Sequence, residues 1–143
     1  MIYLKTGLFV LILLLSGCSV QDQLARYDDT RIIFGSGGGY SGREIQYTLM
    51  PDGNVTLYDN ISRQTTEVTR LGKKETLEIF QEMDEVMMSA LDFDHPGLTY
   101  TFIRQVKGNK TTSVVWGARE PEVPSRVREF MDYLMASVGE GGK

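Results

Sequence analysis

The chain has one cysteine, one histidine and one tryptophan in 143 residues, and a single apolar run of any length. Each scarcity closes a route. A lone thiol, Cys18, cannot form a disulfide within the chain. The fold must therefore rest on packing alone, unlike small secreted domains stapled by cystines. A lone histidine, His95, leaves any zinc site dependent on carboxylates gathered from elsewhere. The apolar run, Leu8–Leu15, is far shorter than the roughly 20 residues a spanning helix needs. Basic side chains are the minority, 15 Lys and Arg against 19 Asp and Glu. The sequence shows no basic patch, which argues against nucleic acid as a partner and against polybasic membrane docking as the main activity.

The N-terminus carries the strongest positive signal. Lys5 precedes the apolar run and Ser16-Gly17 follow it, the layout of a secretory signal. Leu15-Ser16-Gly17-Cys18 matches the lipobox order of leucine, two small residues and cysteine, and resembles substrates of the bacterial lipoprotein-processing pathway. The chemistry accounts for the cysteine, since a thiol is strongly nucleophilic and its thioether to diacylglycerol resists hydrolysis. Two thioether-linked chains and an N-acyl chain exceed the two signals that lasting membrane attachment requires. We therefore expect residues 1–17 to be removed and Cys18 to carry lipid, with 18–30 a polar tether, 31–138 one domain and 139–143 a frayed tail. Ser19, not aspartate, follows the cysteine. By resemblance to the sorting rule of Gram-negative lipoproteins, that indicates the outer membrane.

Periodicity sets the expected fold. Arg31–Phe34 is a short apolar run that Gly35–Gly42 interrupts. From Glu44 the pattern alternates, with Ile45, Tyr47 and Leu49 on one face of a strand. Pro51-Asp52-Gly53-Asn54 is a turn, Val55–Tyr58 returns, and Arg63–Leu71 adds a third strand. Over Lys73–Ala90 the period becomes that of a helix, with Leu77, Phe80, Met83 and Met87 on its apolar stripe and Met88 outside it. Leu98–Val106 and Thr111–Trp116 form a second hairpin, and Pro124 opens a last helix through Val138. The order predicts an α+β fold: a two-layer sandwich, an antiparallel sheet of about four to six strands with two helices on one face (ββ(β)α-ββα). The other sheet face should be polar.

Candidate sites are few. Gly37-Gly38-Gly39-Tyr40-Ser41-Gly42 formally matches the dinucleotide fingerprint, but a strand follows it where that motif needs a helix. Its plain reading is a mobile connection between edge strands; its functional reading is a nest of backbone N–H groups or a ligand loop. The binding candidates are accordingly Gly37, Gly38, Gly39 and Tyr40, with Trp116, which equally suits closing the core at a strand end. His95, beside Asp92 and Asp94, fits turn chemistry at a helix end, its ring meeting the last carbonyls, better than metal or acid–base work. No serine sits in a nucleophile elbow. We expect no catalytic residue, no metal and no cofactor.

Phe34-Gly-Ser-Gly-Gly-Gly-Tyr-Ser-Gly42, the strand at Tyr47–Leu49, Asp94-His-Pro-Gly97 and Trp116-Gly117 together resemble small Gram-negative lipoproteins of unassigned function. The resemblance covers about Ile32 to Val138, on the strand and helix reading above. It implies the same topology and an envelope address, and contributes no catalytic residues. The sequence thus points to a lipid-anchored envelope protein, a non-catalytic module binding an envelope protein or cell-wall component through the glycine loop and an exposed sheet edge. An inhibitor of a periplasmic or foreign hydrolase is the alternative, and an enzyme using His95 stands third. Nothing in the sequence sets an oligomeric state.

Overall fold

The computed structural model describes residues 18–90 and 92–139, so the expected signal segment 1–17 and the tail 140–143 lie outside the described residues. The elements are α1 (Val20–Leu24) with a 3-10 turn (Ala25–Tyr27), β1 (Thr30–Gly38), β2 (Arg43–Leu49), β3 (Asn54–Asp59) and β4 (Gln64–Arg70). They continue with α2 (Lys73–Ser89), β5 (Asp94–His95), β6 (Thr99–Lys107), β7 (Lys110–Trp116) and α3 (Ser125–Gly139). The strands form one sheet in the order β4-β3-β2-β1-β6-β7-β5, antiparallel except where β5 runs parallel to β7. The fold is a two-layer α+β sandwich of seven strands and three helices among the described residues.

The core lies between the sheet and α2 and α3. Ile32, Phe34, Leu49, Val55, Ile103 and Val114 meet Ile79, Phe80, Met83 and Val86 of α2 and Val127, Phe130 and Leu134 of α3. Each such side chain, once removed from water, contributes about 1.5–3 kcal/mol. The helical stripes fall where the periodicity sets them, Met83 and Met87 inside and Met88 exposed.

Three features depart from the sequence reading. The glycine run is not a connection between edge strands, because Gly35–Gly38 belong to β1, the central strand between β2 and β6. The glycine turn is therefore far from the sheet edges, which are β4 on one side and the short β5 on the other. Residues 20–27, read as part of the tether, are helical. Ser19 Oγ accepts from Asp22 N–H to cap α1, Leu24 is buried, and the Tyr27 ring lies 5.2 Å from that of Phe80. The Tyr27 hydroxyl also donates to Asp84, which accepts a second bond from Gln105 on β6. Finally, His95 lies in β5 with its ring edge-on to Phe93, rather than on the last carbonyls of α2.

The strand registers sort the connections into two ends. The lower end collects residues 28–29, the Met50–Gly53 turn, the β4–α2 link and the β6–β7 turn, joined by Gly108 N–H to Asp29 O and Leu71 N–H to Gly53 O. The upper end collects 39–42, 60–63, 96–98 and the segment after Trp116.

Candidate functional site

The glycines of β1 have a reason that only the register supplies. On the sheet face away from the helices, Gly35 is opposite Phe102 and Gly37 opposite Tyr100. A Cβ at Gly35 would lie 1.9 Å from the Ile45 carbonyl oxygen, and one at Gly37 would lie 2.8 Å from the Tyr100 hydroxyl. Gly38, with φ +95°, would meet the Leu98 carbonyl at 2.4 Å. Gly35 and Gly38 thus let neighbouring backbone approach closely, and Gly37 leaves room for the Tyr100 side chain of β6. Phe102 is fully buried although it stands outside the main core cluster. The Arg104 guanidinium covers it from 4.1 Å above the ring centroid, a cation–π contact.

Glu44 completes this face. It accepts from the Tyr100 hydroxyl at 2.6 Å and lies 3.9 Å from the Arg104 guanidinium. The hydrogen bond to Glu44 raises the Tyr100 hydroxyl above the ordinary tyrosine value, with desolvation and the carboxylate's charge adding to the shift. This cluster is structural in character: the Tyr100 hydroxyl and the Arg104 guanidinium both turn to the Glu44 carboxylate.

The upper end is different. Gly39 N–H donates to Leu98 O at 2.8 Å, and Asn60 donates from its side chain to Gly42 O while accepting from Glu44 N–H. Arg43 pairs with Asp59 at 2.7 Å, holding the Asp59 carboxyl below its ordinary value. Ala118 N–H bonds His95 O. Three loops are thereby joined into one rim, and each carries a large apolar side chain at its apex. Relative exposures are 101% for Tyr40, 61% for Ile61 and 69% for Leu98. Large apolar side chains held in the open on adjacent tight turns are the feature that needs explaining, since scattered single ones do not.

Behind the rim are two shallow cavities. One, of about 420 Å³, is lined by Ser36, Gly37, Gly38, Arg43, Thr99 and Tyr100 among others. The second, of about 370 Å³, shares Ser36, Ile45 and Thr101 with it and ends on Met131 and Met135 of α3. Gly37 and Gly38 therefore line a concavity, Gly39 and Tyr40 form the rim above it, and Trp116 sits half-buried on the helix side, opposite Thr101 and packed on the core. The structure brings the glycine candidates together and gives Trp116 the core-closing role. Ile61, Leu98 and Asn60 escaped the sequence reading. Their signal was an apolar residue inside a turn, in Asp59-Asn60-Ile61-Ser62 and Pro96-Gly97-Leu98.

A cavity of about 560 Å³ lies elsewhere, in the groove between α2 and α3 lined by Glu78, Glu82, Arg126, Glu129, Phe130 and Tyr133. Arg126 bridges Glu82 and Glu85 across it, and burial, reinforced by Glu75 and Glu78, raises the Tyr133 hydroxyl. Among the described residues, no group of three or more His, Cys, Asp or Glu side chains is placed to hold a metal ion, and no helix is long and apolar enough to cross a membrane. Cys18 is exposed, one residue before the α1 cap. Compared with known proteins, the chain matches no family model and is significantly similar to no curated protein, so the site rests on this geometry.

Proposed function

We propose that the chain is a lipid-anchored protein of the outer membrane whose domain is a non-catalytic binding module, engaging an envelope protein through its upper rim. The observation that carries this reading is the set of three exposed apolar side chains, Ile61, Tyr40 and Leu98, on loops fixed to one another by hydrogen bonds. A surface of that kind is already ordered, so binding it avoids the entropic cost that a free glycine loop would incur. Large rigid apolar anchors are also what interface hot spots are made of.

Two experiments test it. A photo-cross-linking amino acid in place of Tyr40 in living cells, followed by mass spectrometry, should give one dominant adduct that the same amino acid in place of Gln81, on the helix layer, does not. Equal adduct patterns at both positions would remove the reading. Cys18→Ser should abolish acylation and release the protein from the membrane fraction; unchanged fractionation would remove the anchor.

The rigidity of the rim also supports the inhibitor reading, in which Tyr40 is the wedge offered to a hydrolase. It is separated by assay: the domain would slow a periplasmic hydrolase, and Tyr40→Ala would relieve that inhibition. Absence of inhibition across envelope extracts leaves the module reading alone.

A further inference from the structure

Cations scattered along the sequence gather at the lower end of the fold, which the absence of a linear basic run conceals. Lys107 and Lys110 flank the β6–β7 turn, and Arg70, Lys73 and Lys74 surround the β4–α2 link. Arg26 and Arg31 bracket the segment between them, and all seven side chains are exposed. Met50, 38% exposed, sits in their midst, lining with Arg31 and Gly108 the concavity that joins these loops. The acids of the same end are Asp22, Asp28, Asp29, Asp52 and Glu75; Asp52 lies 3.8 Å from Arg70. Cations therefore outnumber acids here, although the whole chain carries a formal charge of −4. At the upper end the balance reverses, with Arg43 tied to Asp59 and Arg63 and Arg119 set among Asp92, Asp94, Glu120 and Glu122.

The N-terminal segment is docked at this same lower end. α1 packs along the flank of α2 that carries Phe80, Gln81 and Asp84, while α3 takes the flank carrying Glu78, Glu82 and Glu85. α3 is the helix that reaches the upper cavities, so α1 lies on the far side of α2 from the rim. Only Ser19 separates Cys18 from α1, which leaves no slack between a lipid on Cys18 and the body of the domain.

We propose that the lower end of the domain rests on anionic lipid headgroups, with Lys107, Lys110, Lys73, Lys74, Arg31 and Arg26 at the contact, and that this fixes the apolar rim facing away from the bilayer. The inference rests on the lipid-anchor reading and adds an orientation to it. Lysines and arginines close to an anionic membrane are attracted within about a Debye length, roughly 8 Å at physiological salt. β1 alone, from Thr30 to Gly38, separates the two ends by about 26 Å. The rim is thus held beyond the headgroups, where a partner protein has access.

The test uses the full chain, processed in a bacterial host and reconstituted into vesicles of phosphatidylethanolamine and phosphatidylglycerol that carry nitroxide-labelled lipid. Acylated Cys18 leaves no other thiol, so Asn109→Cys and Tyr40→Cys each give one labelling site for a fluorophore. Quenching at 109 should exceed that at 40 several-fold, and the difference should shrink in phosphatidylcholine vesicles or in molar salt. Equal quenching at both sites, stronger quenching at 40, or indifference to lipid charge overturns the proposal. The mass of the N-terminal peptide reports separately on acylation. If Cys18 is unmodified, the anchor reading falls by itself. The orientation is then read from sedimentation of the same chain with the anionic vesicles, where Lys107→Glu combined with Lys110→Glu must lower the bound fraction; no binding, or no loss, counts against it.

Discussion

A methyl group at position 35 would sit 1.9 Å from the Ile45 carbonyl oxygen, and neither backbone can yield without parting β1 from β2 in the middle of the sheet. Overpacking of that kind typically costs 1–3 kcal/mol, and more against backbone than against a flexible side chain. Gly35→Ala should therefore lower the unfolding free energy by about 3 kcal/mol in urea titration. Gly72→Ser is the contrast. It has open space around it and an extended backbone at the N-cap of α2, so a hydroxyl there should be neutral or stabilising by a few tenths of a kcal/mol. A result in which both substitutions cost the same would mean that the contact at Gly35 is not what constrains it. The sequence marked the glycines as unusual but not why. Their reason is contact that only the strand registers create, with the Ile45 carbonyl at Gly35, the Tyr100 hydroxyl at Gly37 and the Leu98 carbonyl at Gly38. The same cluster gives a pH signature. Tyr100 is raised by its bond to Glu44, so the folded state holds that proton longer than the unfolded chain. Its contribution to stability is complete below the ordinary tyrosine value and is lost as the pH rises through the folded one. Glu44→Gln should move the Tyr100 titration back toward ordinary, read by tyrosinate absorbance.

At the level of elements, legibility followed the strength of the period. α2 and α3 show sustained apolar stripes, and β2, β3, β6 and β7 have alternation or turn chemistry at both ends, so their placement from sequence agrees with the structure within a residue or two. β1 was cut short because glycine is a poor strand former wherever no partner ring compensates for it. β5 is two residues long and has no pattern to read. α1 hid because a five-residue polar segment with one buried leucine has no measurable period. That leucine makes α1 testable. Leu24→Ala removes the main apolar contact of the N-terminal segment, a class of change costing about 2–5 kcal/mol in a full core. Here the lost energy should appear as local release rather than global unfolding, because α1 is peripheral to the sheet. Limited trypsin treatment should cut after Arg26 many-fold faster in the variant, while the core fragment stays resistant. Uniform loss of resistance would place α1 within the cooperative core instead.

For the molecule as a whole, chain order suggests two ββα halves, and the sheet order denies them independence. β1 sits between β2 of its own half and β6 of the other, and Ile32 and Phe34 pack in one cluster with Ile103, Val114, Val127 and Leu134. A fragment ending at Ala90 would leave one side of β1 unpaired along nine residues and half of the helix layer absent. Unpaired strand edges of that length and uncovered apolar faces are aggregation hazards rather than stable surfaces. Residues 18–90 alone should show no cooperative thermal transition by circular dichroism, and mixing them with 91–143 should restore one. If instead 18–90 melts cooperatively by itself, the two halves are separable domains. The loops of the upper rim could then move relative to one another, since 39–42 and 60–63 belong to the first half and 96–98 to the second. The Gly39–Leu98 bond is the link that makes them one surface. Cooperative folding of the whole sheet is therefore the condition under which Tyr40, Ile61 and Leu98 act as a single binding edge.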